Sequence, residues 1–282
     1  MCRILALTCS SCRLCTYEIQ KVIDAFVKAS RLDPRLEYVS DGRRRSHDDG
    51  WGVAVAFRKG ERVGVLYERM GIPVFSRASR YVLKQLVKYL TAADEAIAVI
   101  HSRAASLGEP LGTEAAHPYR YEVEVRRERV TVFFAHNGAA DKDRLCEELA
   151  LPKHSYTDSY ALGLHIARSL ERAGILEPRE VAKLVLEAVS RYCVKDGKRR
   201  GGVTTTLVVR DSTAFAIATS WFDESNPKSV TYYQPYIATY GKLHFFASPT
   251  VIDALGGDVG AKALASGRAV LITFGSLEEL EL

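Results

Sequence analysis

The sequence predicts a layered α+β protein with β-sheet at its centre, and three observations carry that expectation. A short apolar stretch opens the chain at 2–7. Strand-like apolar runs recur at 53–57, 63–68, 96–100 and 130–135. After helical segments between 141 and 193 the pattern returns to strands at 203–210, 214–220, 229–237, 242–247 and 269–274. Strands, then helices, then strands again fit helices packed against sheets around a shared core. The chain has 282 residues, 47% hydrophobic and 26% charged, enough to bury a sizeable core. We expect one domain spanning residues 2–282.

In order along the chain, residues 17–29 carry Ile19, Val22, Ile23, Phe26 and Val27 at helical spacing, and Asp33-Pro34 ends the run. His47-Asp48-Asp49-Gly50-Trp51-Gly52 is a polar turn leading into a strand, its glycines permitting close backbone approach. Residues 80–90 form an amphipathic helix through Val82, Leu83, Leu86, Val87 and Leu90. The strand at 96–100 runs into His101-Ser102-Arg103, a loop holds His117-Pro118-Tyr119, and the strand at 130–135 ends in His136-Asn137-Gly138. Helices follow at 141–149, from a Thr157-Asp158 cap to about 172, and at 178–193, with a basic loop at 196–202.

Composition narrows the function classes. The net charge of +5 is modest, and the basic runs at 43–45 and 198–200 are short enough to be solvated loops, so no nucleic acid is expected as a partner. No apolar run approaches the ~18 residues of a membrane span, and no signal-peptide pattern opens the chain. A cytoplasmic protein without a membrane partner is the expectation. Two Asn (Asn137, Asn226), three Gln and two Met, beside many Arg and Glu, are a thermophile tendency.

Chemistry is suggested first at Cys2. Removal of one methionine places a thiol and a free α-amine on one residue, and a nucleophile with its own base is a known catalytic arrangement. The structural alternative is a small residue opening a buried strand. Arg103 sits where a buried strand ends and suits bidentate grip of a carboxylate, or a structural ion pair. An Asn amide beside a glycine N–H, as in Asn137-Gly138, can stabilise an oxyanion or simply form a turn. Cys9, Cys12 and Cys15 have the C-x2-C-x2-C spacing of a zinc or iron–sulfur site, or are buried or disulfide-bonded thiols.

Together, Cys2, the turn at 47–52, His101-Ser102-Arg103, His117-Pro118, His136-Asn137-Gly138 and Asp158-Ser159 resemble the ordered motifs of class II glutamine amidotransferase domains, of stand-alone type. The resemblance spans nearly the whole chain. It implies the N-terminal-nucleophile hydrolase fold, a four-layer αββα sandwich. It implies Cys2 as nucleophile with its α-amine as base, Asn137 and Gly138 as oxyanion donors, Arg103 for a substrate α-carboxylate and Asp158 for its α-ammonium. Trp51 and His117 would lie near the pocket. Glutamine or a γ-glutamyl small molecule would be the substrate, no metal or other cofactor is called for, and a synthase subunit receiving ammonia, or a homo-oligomer, are the partners allowed. Tyr160 stands where the family often has Glu, and the cysteine triplet has no counterpart in the family pattern. A binding or regulatory protein on the same fold, catalytically silent because Met1 is retained and with a cysteine-bound metal as a further reading, is the alternative.

Overall fold

The computed structural model describes residues 2–195, 197–256 and 259–282. Met1, whose removal the sequence reading requires, and Asp196, which opens the basic loop, lie outside them. The strands are β1 (Cys2–Cys9), β2 (Trp51–Lys59), β3 (Arg62–Met70), β4 (Glu95–Arg103), β5 (Tyr119–Val125), β6 (Glu128–Gly138), β7 (Val194–Lys195), β8 (Lys198–Arg199), β9 (Gly202–Val209), β10 (Ala214–Ser220), β11 (Tyr236–Tyr240), β12 (Leu243–Ala247), β13 (Gly260–Ala263), β14 (Arg268–Thr273) and β15 (Ser276–Leu280). The helices are α1 (Thr16–Arg31), α2 (Pro34–Val39), α3 (Arg77–Ala92), α4 (Lys142–Leu149), α5 (Asp158–Ala173), α6 (Pro178–Tyr192), α7 (Pro227–Tyr233) and α8 (Pro249–Leu255).

Two antiparallel sheets form the middle layers. One runs β13-β11-β12-β1-β4-β2-β3 and the other β15-β14-β10-β9-β6-β5. Strand alternation gives each sheet two apolar faces. The inner faces meet in a core that includes Ile4, Ala6, Val99, Phe133, Ala135 and Leu207. On the outer face of the first sheet, Leu5, Leu7, Val53 and Ile100 pack against Ile19, Val22, Phe26, Leu83 and Leu86 of α1 and α3. On the other side Val132, Phe134 and Ile217 pack against Leu162, Ile166 and Val185 of α5 and α6. The expected αββα sandwich is therefore the architecture observed.

Local differences from the sequence reading have identifiable causes. Residues 229–237, expected as one strand, split into α7 and β11. The Asn226 side chain accepts hydrogen bonds from the Lys228 and Ser229 N–H groups and Pro227 occupies the first turn, so the local cap outweighs the β-branched and aromatic composition. Asp33 does more than end α1: its carboxylate accepts from the Arg35 and Leu36 N–H groups and starts α2. His136-Asn137-Gly138 is a strand end, not an Asn-Gly turn, since β6 stays paired with β9 through Gly138. Cys9 and Cys12 are joined as a disulfide and Cys15 is buried in the helix-facing core, so the triplet is not a metal-ligand set.

Candidate active site

The site is built where the ends of three buried strands converge. Cys2 of β1 stands opposite Arg103 of β4, with His101 two residues along on the same face. Alternation sends Cys2, Ile4, His101 and Arg103 toward the facing sheet, while Arg3 and Ser102 point to the helices. From the facing sheet Asn137 projects inward in phase with Phe133 and Ala135, and its Oδ1 accepts the Cys2 N–H at 2.8 Å. With that oxygen engaged, the Asn137 amide keeps its NH2 as a donor.

The Cys2 carbonyl is held from the other side. Tyr232 Oη donates to it at 3.3 Å and Arg3 Nη1 at 3.4 Å. Arg3 is fully buried, stacks over the Tyr232 ring at 4.2 Å and pairs with Asp33 at 2.5 Å. Asp33 also binds His47 Nε2 at 2.7 Å and accepts from Thr250 Oγ1 at 2.8 Å. Burial raises the Asp33 carboxyl, but Arg3, His47 and Thr250 together hold it well below the usual carboxylate range. Burial outweighs the Asp33 contact at His47 and lowers that imidazole to about 4. This buried network holds the Cys2 carbonyl in place beside the thiol.

A cavity of about 440 Å³ opens over the thiol, lined by Cys2, Arg103, His117, His136, Gly138 and Asp158 among others. Arg103 Nη1 donates to the Pro110 carbonyl at 2.7 Å and has no carboxylate partner among the described residues. Asp158, the first residue of α5, accepts from the Ala140 N–H at 2.8 Å and from the Ser159 N–H at 2.7 Å and Oγ–H at 3.1 Å. Among the described residues it has no cationic partner either. One cavity thus presents an unpaired guanidinium and an unpaired carboxylate, the complement of an amino acid's zwitterionic head.

Electrostatics at the thiol favour the anion. Burial raises the Cys2 thiol, but the positive amino terminus and the adjoining His101, with hydrogen bonding from His101 and the Ala104 backbone, outweigh it and bring the group down to about 6. Burial and the neighbouring His101 and Arg103 push His117 well below the ordinary imidazole range. Burial overrides nearby Asp158 at His136 and lowers it to about 4. Cys193 lies 3.8 Å from His136 Nε2, but burial pushes its thiol upward, so it is not a rival nucleophile.

Of the residues singled out in the sequence, Cys2, Arg103, His117, Gly138 and Asp158 line one cavity, and Asn137 bonds Cys2 directly at its edge. Gly138 has a steric reason to be glycine, because a Cβ there would collide with the Gly201 carbonyl. Trp51 is a correction. It stands opposite Ser102 on the outward face, is fully buried in the core beneath α3, and donates its indole N–H to Ser79 Oγ at 2.8 Å. It does not line the cavity. His101, which the sequence reading gives only within the His101-Ser102-Arg103 motif and without a role, lies against the Cys2 thiol. It shares a face with Arg103 by simple alternation, a signal present in the strand pattern.

No family model and no curated protein sequence matches the chain. Among solved structures it superposes on the allosteric regulatory enzyme of purine biosynthesis with TM-score 0.53 and 15% identity, covering 98% of this chain and 48% of the other. It superposes on glutamine phosphoribosylpyrophosphate (PRPP) amidotransferase from B. subtilis, complexed with ADP and GMP, with TM-score 0.52 and 16% identity, covering 99% and 48%. The fold is that of the N-terminal-nucleophile hydrolases. At these identities the likeness concerns architecture alone, and the chain spans about half the length of the structures it matches. Within the N-terminal-nucleophile fold of this chain, Cys2 opens a central strand and meets Asn137 of the opposite sheet.

Proposed function

We propose that this chain is a glutaminase-type amidohydrolase of one domain, residues 2–282, in which Cys2 becomes the N-terminal residue by loss of Met1. The observation that carries the reading is the placement of the Cys2 thiol in one cavity with Arg103 and Asp158, neither ion-paired among the described residues. The substrate's α-carboxylate binds Arg103 and its α-ammonium binds Asp158, which brings the γ-carboxamide carbon to the thiolate. Sulfur attacks that carbon. The developing oxyanion is met by the Asn137 NH2 and the Gly138 N–H, donors of the kind worth ~3 kcal/mol each in a transition state. The Cys2 α-ammonium gives its proton to the departing nitrogen, and ammonia or an amine leaves a γ-glutamyl thioester. The α-amine then takes a proton from water as it attacks the thioester, and collapse releases glutamate and regenerates the thiolate.

Turnover of glutamine and of γ-glutamyl amides by the purified protein tests this, combined with intact-mass analysis before and after a glutamine-like electrophile. Loss of one methionine and one adduct on Cys2 are expected. A protein with Cys2 exposed that neither turns over any γ-glutamyl compound nor takes up the electrophile is not this enzyme. Repeated co-purification with one synthase-like subunit would show that the ammonia is passed on.

A further inference from the structure

We propose that Cys2 Sγ, at the wall of the same cavity, and one ring nitrogen each of the buried His101 and His117 form a binding site for a soft or borderline divalent cation, best matched by zinc. Its occupancy switches the proposed hydrolase off. The cation site stands on geometry alone, whereas the switch rests on the functional reading above.

The three side chains are buried, and their ligand atoms all lie within 4.8 Å of one another. Zinc bond lengths of ~2.0 Å to nitrogen and ~2.3 Å to sulfur place tetrahedral ligand atoms roughly 3.3–3.6 Å apart, so small side-chain rotations close the site. The residues come from three supports that tertiary structure fixes: β1, its neighbour β4, and the segment entering β5. His117 Nδ1 faces His101 Nε2 at 2.8 Å, and that contact uses only one nitrogen of each ring. His101 Nδ1 and His117 Nε2 are buried without a hydrogen-bond partner among the described residues. His101 Nε2 also lies 3.2 Å from the His136 carbonyl oxygen, and with one nitrogen of each ring unpartnered the two buried imidazoles are under-satisfied as polar groups. A cation would supply one ligand bond to each ring.

One sulfur and two imidazole nitrogens favour zinc over calcium or magnesium, which take oxygen ligands. The set leaves a fourth position toward the cavity. Once Met1 is gone, the Cys2 α-amine can fill it, closing a five-membered chelate with its own sulfur. A cation bound there occupies nucleophile and base together, which is why occupancy silences hydrolysis.

Cobalt(II) added to metal-stripped, anaerobically purified protein with Cys2 exposed reads the site without any substrate. The expected result is a thiolate-to-cobalt charge-transfer band saturating at one equivalent, displaced by zinc and insensitive to calcium. Cys2→Ser should abolish the band, and His117→Ala should raise the cobalt concentration for half-saturation at least about tenfold. No band with the wild-type protein, or a band whose affinity is unchanged in both His117→Ala and His101→Ala, overturns the site. Glutamine hydrolysis stopped by equimolar zinc and restored by a chelator supports the switch, and hydrolysis that continues with the site saturated overturns it. A stoichiometric band from a protein that turns over no γ-glutamyl compound sinks the functional reading and the switch, and leaves the cation site standing.

Discussion

At the scale of single residues, Asn137 has two jobs that one substitution separates. Its oxygen holds the Cys2 N–H at 2.8 Å, and its NH2 is the proposed oxyanion donor. Asn137→Asp keeps an acceptor and removes the donor. Steady-state kinetics with glutamine should show kcat falling roughly 10²–10³-fold, with KM changed far less. Arg103→Ala should act the other way and raise KM at least about tenfold, since a charge-assisted contact made in both ground and transition states is lost. The thiol's depressed value gives a third outcome. Alkylation of Cys2 by iodoacetamide should rise with pH to a plateau with a midpoint near pH 6, because only the thiolate reacts. A midpoint near the ordinary thiol value would show that His101 and the amino terminus do not act on this sulfur.

At the scale of elements, strand alternation decides which of two adjacent residues belongs to the site. In β4, His101 and Arg103 face inward and Ser102 outward. In β2, Trp51 pairs with Ser102 and follows it toward α3, so a residue adjacent to the site in sequence is on the wrong side of the sheet. Trp51→Phe should therefore cost about 1–3 kcal/mol of stability in denaturant titration, from a lost buried hydrogen bond and a packing defect. Glutamine turnover should stay within about twofold of wild type. A rise in KM without loss of stability would return Trp51 to the pocket. The Thr157-Asp158 cap illustrates the opposite case. Thr157 accepts the Tyr160 N–H at 2.9 Å, which frees Asp158 to bind Ala140 and Ser159 and to face the cavity.

For the whole molecule, the buried histidines set the acid limit. His47 and His136 are held near 4, and His117 is also well below its ordinary value, all chiefly by burial. Each binds a proton in the unfolded chain at about pH 6.5 and resists it in the folded one, so stability is full above that pH and falls as pH drops toward 4. The slope is up to about 1.4 kcal/mol per pH unit for each histidine. Asp33 has the opposite chemistry and the same sign. Its depressed carboxyl contributes fully above about pH 3.9, and that contribution is lost only as pH falls further. Urea midpoints measured from pH 7 to 4 should decline steadily through the histidine window. A flat profile would mean these imidazoles are not buried and neutral.

Much of this was legible before any coordinates. Apolar periodicity gives the order of most helices and strands, because local period is a local property, while the joint chemistry of Cys2, Arg103, Asn137, Gly138 and Asp158 is only what the resemblance of their motifs to class II glutamine amidotransferase domains implies. The sequence could not say that Cys2 and Arg103 stand opposite one another while Trp51 lies away from the cavity, nor that Tyr232 and, through Arg3, Asp33 hold the Cys2 carbonyl from positions some 230 and 30 residues distant. Nor could spacing alone choose between a metal set and the Cys9–Cys12 disulfide. Those outcomes depend on which strand ends become neighbours and which face of each sheet is turned inward, and only long-range pairing of β1 with β4, and of the two sheets with each other, fixes that.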